Sequence, residues 1–223
     1  MSQQRKNNYG RQLTEQEIAA GAHRSFVGGM WEVIGALQFE FLREKGLRQA
    51  HSLLDVGCGA LRGGLHSAAY LNPGRYFGID INASLIRAAQ VELKSADLED
   101  RNVHLLVDGE FDFARFGEAF DFAIAISVFT HIPMNDIVRC LVNMEKVLKP
   151  EGKFYASFFE SSRSAELSPL VHEPGGFVTH YDKDPFHYSF DEVRMLADLA
   201  RLKVELVGDW GHPRAQRMLC FQR

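Results

Sequence analysis

The 223-residue sequence predicts an α/β protein: a three-layer sandwich built on a seven-stranded, mostly parallel sheet with an antiparallel last strand. Three observations carry that prediction. Seven short apolar runs recur between residues 52 and 222. Helix-like segments separate the first five, which is the pattern of βαβ units. The last two runs are joined only by residues 209–215, too short a connection for a parallel crossover, so they form an antiparallel hairpin. The composition suits a packed core, with 46% hydrophobic and 24% charged residues. A net charge of −4 advertises no dense basic surface and argues against a nucleic-acid partner.

The elements follow in order. Residues 1–12 are polar and are expected to fray. Thr14 and Glu17 have the capping-box spacing, so a short helix begins there. A second helix spans 30–45, where Trp31, Ile34, Leu37, Phe41 and Leu42 repeat at helical spacing and Gly46 follows as the C′ residue. Strands are expected at 52–56, 75–80, 103–107, 120–127, 153–159, 203–208 and 216–222. Helices are expected at 63–71, 83–96, 135–148 and 189–200, with a poorly patterned stretch at 112–118. This organisation reads as a helical extension over 1–48 and one α/β domain over 49–223. Within that domain the 160–188 connection has the length of a substrate lid or binding loop.

No apolar leader opens the chain, and no run reaches the ~18 apolar residues of a membrane span. Cys58, Cys140 and Cys220 are scattered and odd in number, as in a reducing compartment. The expectation is a cytoplasmic protein with no membrane partner. Cys58 lies in a glycine loop, where it reads as a small apolar filler because no base is tied to it in sequence.

In open α/β sheets, ligands sit outside the carboxyl ends of the parallel strands. The loops at that end are 57–62, 80–82, 108–111, 127–133, 160–188 and 209–215. The first lies in LLDVGCGALRGG, residues 53–64, where Gly57 and Gly59 permit positive φ and close approach of a ligand. A dinucleotide fingerprint needs a third glycine three residues after the second, and Arg62 stands there. Asp80 ends the second strand, placed to accept two ribose hydroxyls. Loop and carboxylate together point to an adenosine cofactor, a feature shared by NAD and S-adenosylmethionine (SAM).

The ordered series LLDVGCGALRGG, YFGIDIN, VHLLVDGEFDF, FDFAIAISVFTHIP and LKPEGKFY resembles the class I SAM-dependent methyltransferases over residues 50–222. The terminal hairpin matches that Rossmann-like family too, and the strand-four and LKPEG motifs look like its small-molecule subgroup. The resemblance implies that Asp55, Gly57 and Gly59 face the methionine part of SAM, Asp55 reaching the ammonium group through water. Asp80 and Ile81 would serve the ribose end. Asp108 would accept from the adenine amino group, with Gly109 to Phe111 around the ring, and Ser127 and Val128 would lie by the sulfonium. Arg62 departs from the family pattern. It either clamps the SAM carboxylate or is a solvated arginine at a helix start.

On the acceptor side, His131 directly follows strand four and is the candidate general base, or else it packs the loop before Pro133. The 160–188 stretch brings His180, Tyr181 and His187, whose aromatic and imidazole edges suit a polar substrate pocket. Its histidines and aspartates lack metal-ligand spacing, so no metal is expected. His212 and Arg214 lie in the last hairpin loop. Arg214 either binds an acidic group of a small-molecule substrate or lines the rim. Ser127-Val128-Phe129-Thr130 occupies the place of the Asn/Asp-Pro-Pro-aromatic motif of exocyclic-amine methyltransferases, which argues against DNA and many RNA amine targets; a hydroxyl oxygen of a sugar or other metabolite is the preferred acceptor, with carbon and nitrogen open. The rivals are a non-catalytic SAM- or partner-binding module on this scaffold and an NAD-dependent oxidoreductase.

Overall fold

The computed structural model describes residues 8–223. Three helices come first, α1 (Glu15–Ala19), α2 (Ala22–Phe26) and α3 (Trp31–Glu44). Then β1 (Leu53–Val56), α4 (Gly64–Tyr70), β2 (Tyr76–Asp80), α5 (Ala83–Ser95), β3 (His104–Val107), β4 (Phe120–Ala125), α6 (Met134–Val147) and β5 (Leu148–Phe158) alternate as expected. Four short strands follow: β6 (Glu160–Ser161), β7 (Leu170–His172), β8 (Phe177–Thr179) and β9 (Tyr188–Ser189). The chain closes with α7 (Phe190–Leu199), β10 (Lys203–Gly208) and β11 (Arg217–Gln222). A seven-stranded sheet has the order β10–β11–β5–β4–β1–β2–β3. Its last strand, β11, is antiparallel to both neighbours, β5 and β10.

The chain divides into two compact units, residues 8–50 with 57–109 and residues 51–56 with 110–223. In the first, β2 and β3 pair in parallel from Phe77↔His104 to Asp80↔Val107. Thr14 and Glu17 make the predicted capping box on α1. At the end of α3, the Gly46 N–H donates to Arg43 O and the Leu47 N–H to Leu42 O, with Gly46 at φ +98°. This pair of bonds is a Schellman motif, and only the C′ glycine takes that φ without strain. Helix α2 and the short strands of the 160–188 loop are not visible in the hydrophobic pattern, because five-, three- and two-residue elements carry no readable period.

The expectation that residues 1–12 fray is corrected for the part described; residues 1–7 lie outside the described residues. Asn82 Nδ2 donates to the carbonyls of Tyr9 and Arg11 at 2.7 and 2.9 Å. The Ser84 N–H donates to Gln12 Oε1, and the Leu13 N–H to Ser84 Oγ. The first turn of α5 therefore pins this polar segment by its backbone, which composition alone cannot reveal. Behind it, Leu13, Ile18, Ala60, Leu85 and Ala88 form a buried cluster flanked by Phe26, Val27 and Trp31. Glu92 on α5, itself buried, accepts from Arg24 Nε and Nη2, each at 2.7 Å, and meets His23 Nε2 at 2.6 Å.

In the second unit, β1 pairs with β4 from Leu53↔Phe122 to Asp55↔Ile124. Strand β5 starts at Leu148, earlier than the apolar run suggests, because Leu148 already pairs with Phe120 before a register shift. Asp121, at the amino end of β4, acts structurally. It accepts from the Ser52 N–H at 2.9 Å and Lys149 Nζ at 2.8 Å. Burial works against its charge, but those donors hold its pKa below the usual carboxylate range. Ser189 and Glu192 form a second capping box that starts α7.

Candidate active site

The first unit carries the glycine loop and the ends of β2 and β3. Gly57 and Gly59 stand at φ +70° and +54°. The N–H groups of Gly57 and Cys58 both donate to Ile79 O, at 2.8 and 3.1 Å, folding the loop back over β2. Asp80 is buried, and its two oxygens accept from Gly59 N at 2.9 Å and Asn82 N at 2.8 Å. Burial pushes its pKa up, against the lowering effect of those two N–H groups. Each oxygen keeps acceptor capacity beyond its one backbone bond.

Next to this carboxylate, Ile81 is 67% exposed. A Cβ on Gly109 would fall 2.9 Å from Ile81 Cδ1, so the glycine keeps that apolar face open. Asp108 continues the ladder, its N–H donating to Asp80 O at 3.0 Å. A positive-φ loop, a carboxylate with spare lone pairs and an uncovered apolar side chain fit an adenosine ligand. Asn82 was not anticipated by the sequence reading. It caps α5 and anchors Tyr9 and Arg11, and its only sequence signal is its N-cap position after a strand.

Neither sequence-based alternative for Arg62 describes it fully. Its Nη1 donates to Val27 O at 3.0 Å and Gly29 O at 3.1 Å, so the half-buried side chain straps the α2–α3 connection. The glycines after it have a packing role. A Cβ on Gly63 would lie 1.9 Å from Gln38 Oε1, and one on Gly64 would lie 2.3 Å from the Tyr76 hydroxyl. On α3, a Cβ on Gly35 would lie 2.5 Å from Arg62 O. The glycines of the RGG stretch and Gly35 let α3 pack closely against it. Cys58 is buried and carries no disulfide, in keeping with a filler.

The second unit holds the remaining positions. Asp55 is buried at the third residue of β1. Phe111 is half-buried at φ +60°, its ring 6.1 Å from that of Phe113. Ser127 follows β4 at φ +59° in a polar knot. Its N–H donates to Ser157 Oγ at 2.8 Å, and its hydroxyl bonds the buried Gln216 amide at 3.0 and 3.1 Å. Gln216 also accepts from Ser157 Oγ at 2.7 Å. His131 Nδ1 lies 2.5 Å from Asp184 Oδ1, both side chains about one quarter exposed.

The 160–188 stretch is a built element. Strands β7 and β8 form a hairpin, and β6 pairs with β9. His187 corrects the pocket expectation: it is fully buried and both ring nitrogens are engaged, Nδ1 with Thr179 Oγ1 and Nε2 with Glu166 O, each at 2.8 Å. It holds the loop together and cannot reach a substrate. Thr179 Oγ1 also meets His172 Nε2 at 2.8 Å. Burial and the neighbouring His187 hold the His172 pKa down. His180 is half-buried, its N–H donating to Pro185 O. Tyr181 is half-buried, and burial, then Glu192, raises its hydroxyl pKa. His212 is 4% exposed and stacks on Trp210 at 5.2 Å, its Nδ1 accepting from the Arg214 N–H. The Arg214 guanidinium lies 4.7 Å from the Phe177 ring centroid, a cation–π contact. Among the described residues, no group of three or more His, Cys, Asp or Glu could hold a metal ion.

A family model described as a methyltransferase domain matches residues 54–154. Over those residues the chain is similar to that family, and its fold is the Rossmann-like α/β sandwich of the solved structures below. It is similar to the human protein "Arginine-hydroxylase NDUFAF5, mitochondrial", 34% identical over 137 residues. That match covers 57% of this chain and 35% of the relative, so the chain spans about a third of the relative's length. Its fold is similar to an S-adenosylmethionine-dependent methyltransferase from Clostridium acetobutylicum, with TM-score 0.66, 11% identity and coverage of 93% of this chain and 98% of that one. It is also similar to the glycopeptide N-methyltransferase MtfA complexed with SAM, with TM-score 0.60, 16% identity and coverage of 84% and 93%. Among the described residues, no helix is long and apolar enough to cross a membrane.

Proposed function

We propose that the chain methylates a hydroxyl oxygen of a small metabolite, with sugars as the first candidates. The observation that carries this reading is His131, a partly exposed imidazole in the loop that follows β4, six residues past Ala125, at the carboxyl end where ligands of such sheets bind. SAM, when bound, supplies an electrophilic methyl group on a sulfonium. Asp80 would hold the ribose hydroxyls with Ile81 beside it, and Asp108 would accept from the adenine amino group, with Gly109 to Phe111 around the ring. Gly57, Gly59 and Asp55 would serve the amino-acid tail, and Ser127 the sulfonium end. His131 takes the proton of the acceptor hydroxyl as its oxygen becomes alkylated. Tyr181, His180 and Arg214 would recognise the acceptor. Three cysteines that carry no disulfide support a reducing compartment such as the cytoplasm.

The test is a screen with methyl-labelled SAM against nucleotide sugars, polyols and phenolic metabolites. Label on an oxygen, lost in His131→Ala, is the expected result. Label confined to nitrogen or carbon would overturn the acceptor assignment. SAM binding without turnover on any pool would favour a binding module.

A further inference from the structure

We infer that Asp184 is a positioning residue that sets the protonation geometry of His131, an inference that rests on the reading of His131 as the base. Asp184 lies 53 residues away, in the 160–188 loop, yet its Oδ1 is 2.5 Å from His131 Nδ1. The contact is not an isolated surface pair, because the backbone on both sides of it is tied. The Phe186 N–H donates to Thr130 O at 2.7 Å, and the Tyr188 hydroxyl donates to Ile132 O at 2.8 Å. His180 N–H to Pro185 O, at 2.8 Å, and His187 N–H to His180 O, at 3.1 Å, close the turn that presents the carboxylate. Burial, then the fields of Tyr181, Glu192, Asp136 and Asp184, raise the Tyr188 pKa, so its hydroxyl stays a donor.

The chemistry follows from the geometry. A carboxylate accepting from Nδ1–H selects the tautomer whose lone pair is on Nε2. When Nε2 takes a proton from an acceptor hydroxyl, the imidazolium gains a fixed counter-charge at Nδ1. The proton ends on Nε2, while the Nδ1–H bond to Asp184 is kept. The loop thus supplies the second half of a His–Asp pair, and base function depends on the loop being seated.

Nitrogen-15 spectra of the histidine side chains in the 223-residue chain test this without an acceptor. The neutral His131 ring is expected to carry its proton on Nδ1 in the wild type. In Asp184→Asn and Asp184→Ala the signal is expected to move toward the Nε2–H form, and Asp184→Glu to restore it. A wild-type ring protonated on Nε2, or variants with an unchanged signature, would overturn the inference. With the acceptor pool above, Asp184→Asn is expected to lower kcat by about 100-fold with KM for SAM unchanged. A tautomer change with intact kcat would make Asp184 a loop latch only and also overturn it. Unchanged turnover in His131→Ala, with the tautomer result intact, would instead sink the base reading alone.

Discussion

Arg62 Nη1 holds two carbonyl oxygens of the α2–α3 connection, Val27 at 3.0 Å and Gly29 at 3.1 Å. The charged donor replaces water at groups that a turn would otherwise leave exposed. Arg62→Met keeps the stem and removes the strap, with an expected loss of about 1–3 kcal/mol. Urea unfolding would measure it, and faster hydrogen exchange across residues 21–31 would localise it. Unchanged exchange there would show that the strap does not hold that segment.

Gly64 faces the Tyr76 ring. A Cβ there would sit 2.3 Å from the hydroxyl, 2.9 Å from Cζ and 2.8 Å from Leu61 Cδ2. Tyr76 and Leu61 are buried and have nowhere to move. Gly64→Ala is expected to destabilise by about 1–3 kcal/mol through overpacking. Adding Tyr76→Phe, which removes the nearest atom, should recover part of that loss in a double-mutant cycle on thermal melts.

Glu92 gives a pH dependence with a defined sign. Burial alone would raise its pKa, but Arg24 first and then His23 hold it below its ordinary 4.5. The folded state therefore releases this proton more readily than the unfolded chain. The resulting stabilisation is complete above the unfolded value and is lost as pH falls through the lowered folded value. Melts from pH 6 down to about pH 3 should show a loss that is smaller in Glu92→Gln. Because Arg24 is 46% exposed, the substitution is expected to cost only about 2 kcal/mol at neutral pH.

Asp80 accepts N–H bonds at both oxygens, from Gly59 and Asn82. Asp80→Asn must turn an NH2 group toward one of those donors, so it should reduce stability as well as cofactor affinity. Asp80→Ala is expected to weaken SAM binding by about 1–3 kcal/mol. Calorimetric titration reads the affinity and melting reads the fold. An unchanged SAM affinity in the folded Asp80→Ala protein would move the ribose site elsewhere.

The strands, the long helices and their caps were legible because their signals are local. Thr14 with Glu17 and Gly46 after Leu42 act within a few residues, and both motifs form as read. Side-chain roles were less legible. His180, Tyr181 and His187 look alike in sequence, but burial makes His187 an internal pin with both nitrogens engaged. The alternatives for Arg62 name a ligand or water as partner, and the structure adds two carbonyls 33 and 35 residues away.

What the sequence by itself determined was the α/β architecture, the antiparallel last strand and the glycine loop followed by Asp80. Apolar periodicity, capping residues and connection length act over a few neighbours and survive in a linear string. Only the tertiary structure decided which polar groups face one another. Asp184 reaches His131 across 53 residues, and Asn82 takes the backbone of Tyr9 and Arg11. Those pairings depend on how loops of one unit are brought side by side, and no local rule of spacing encodes that.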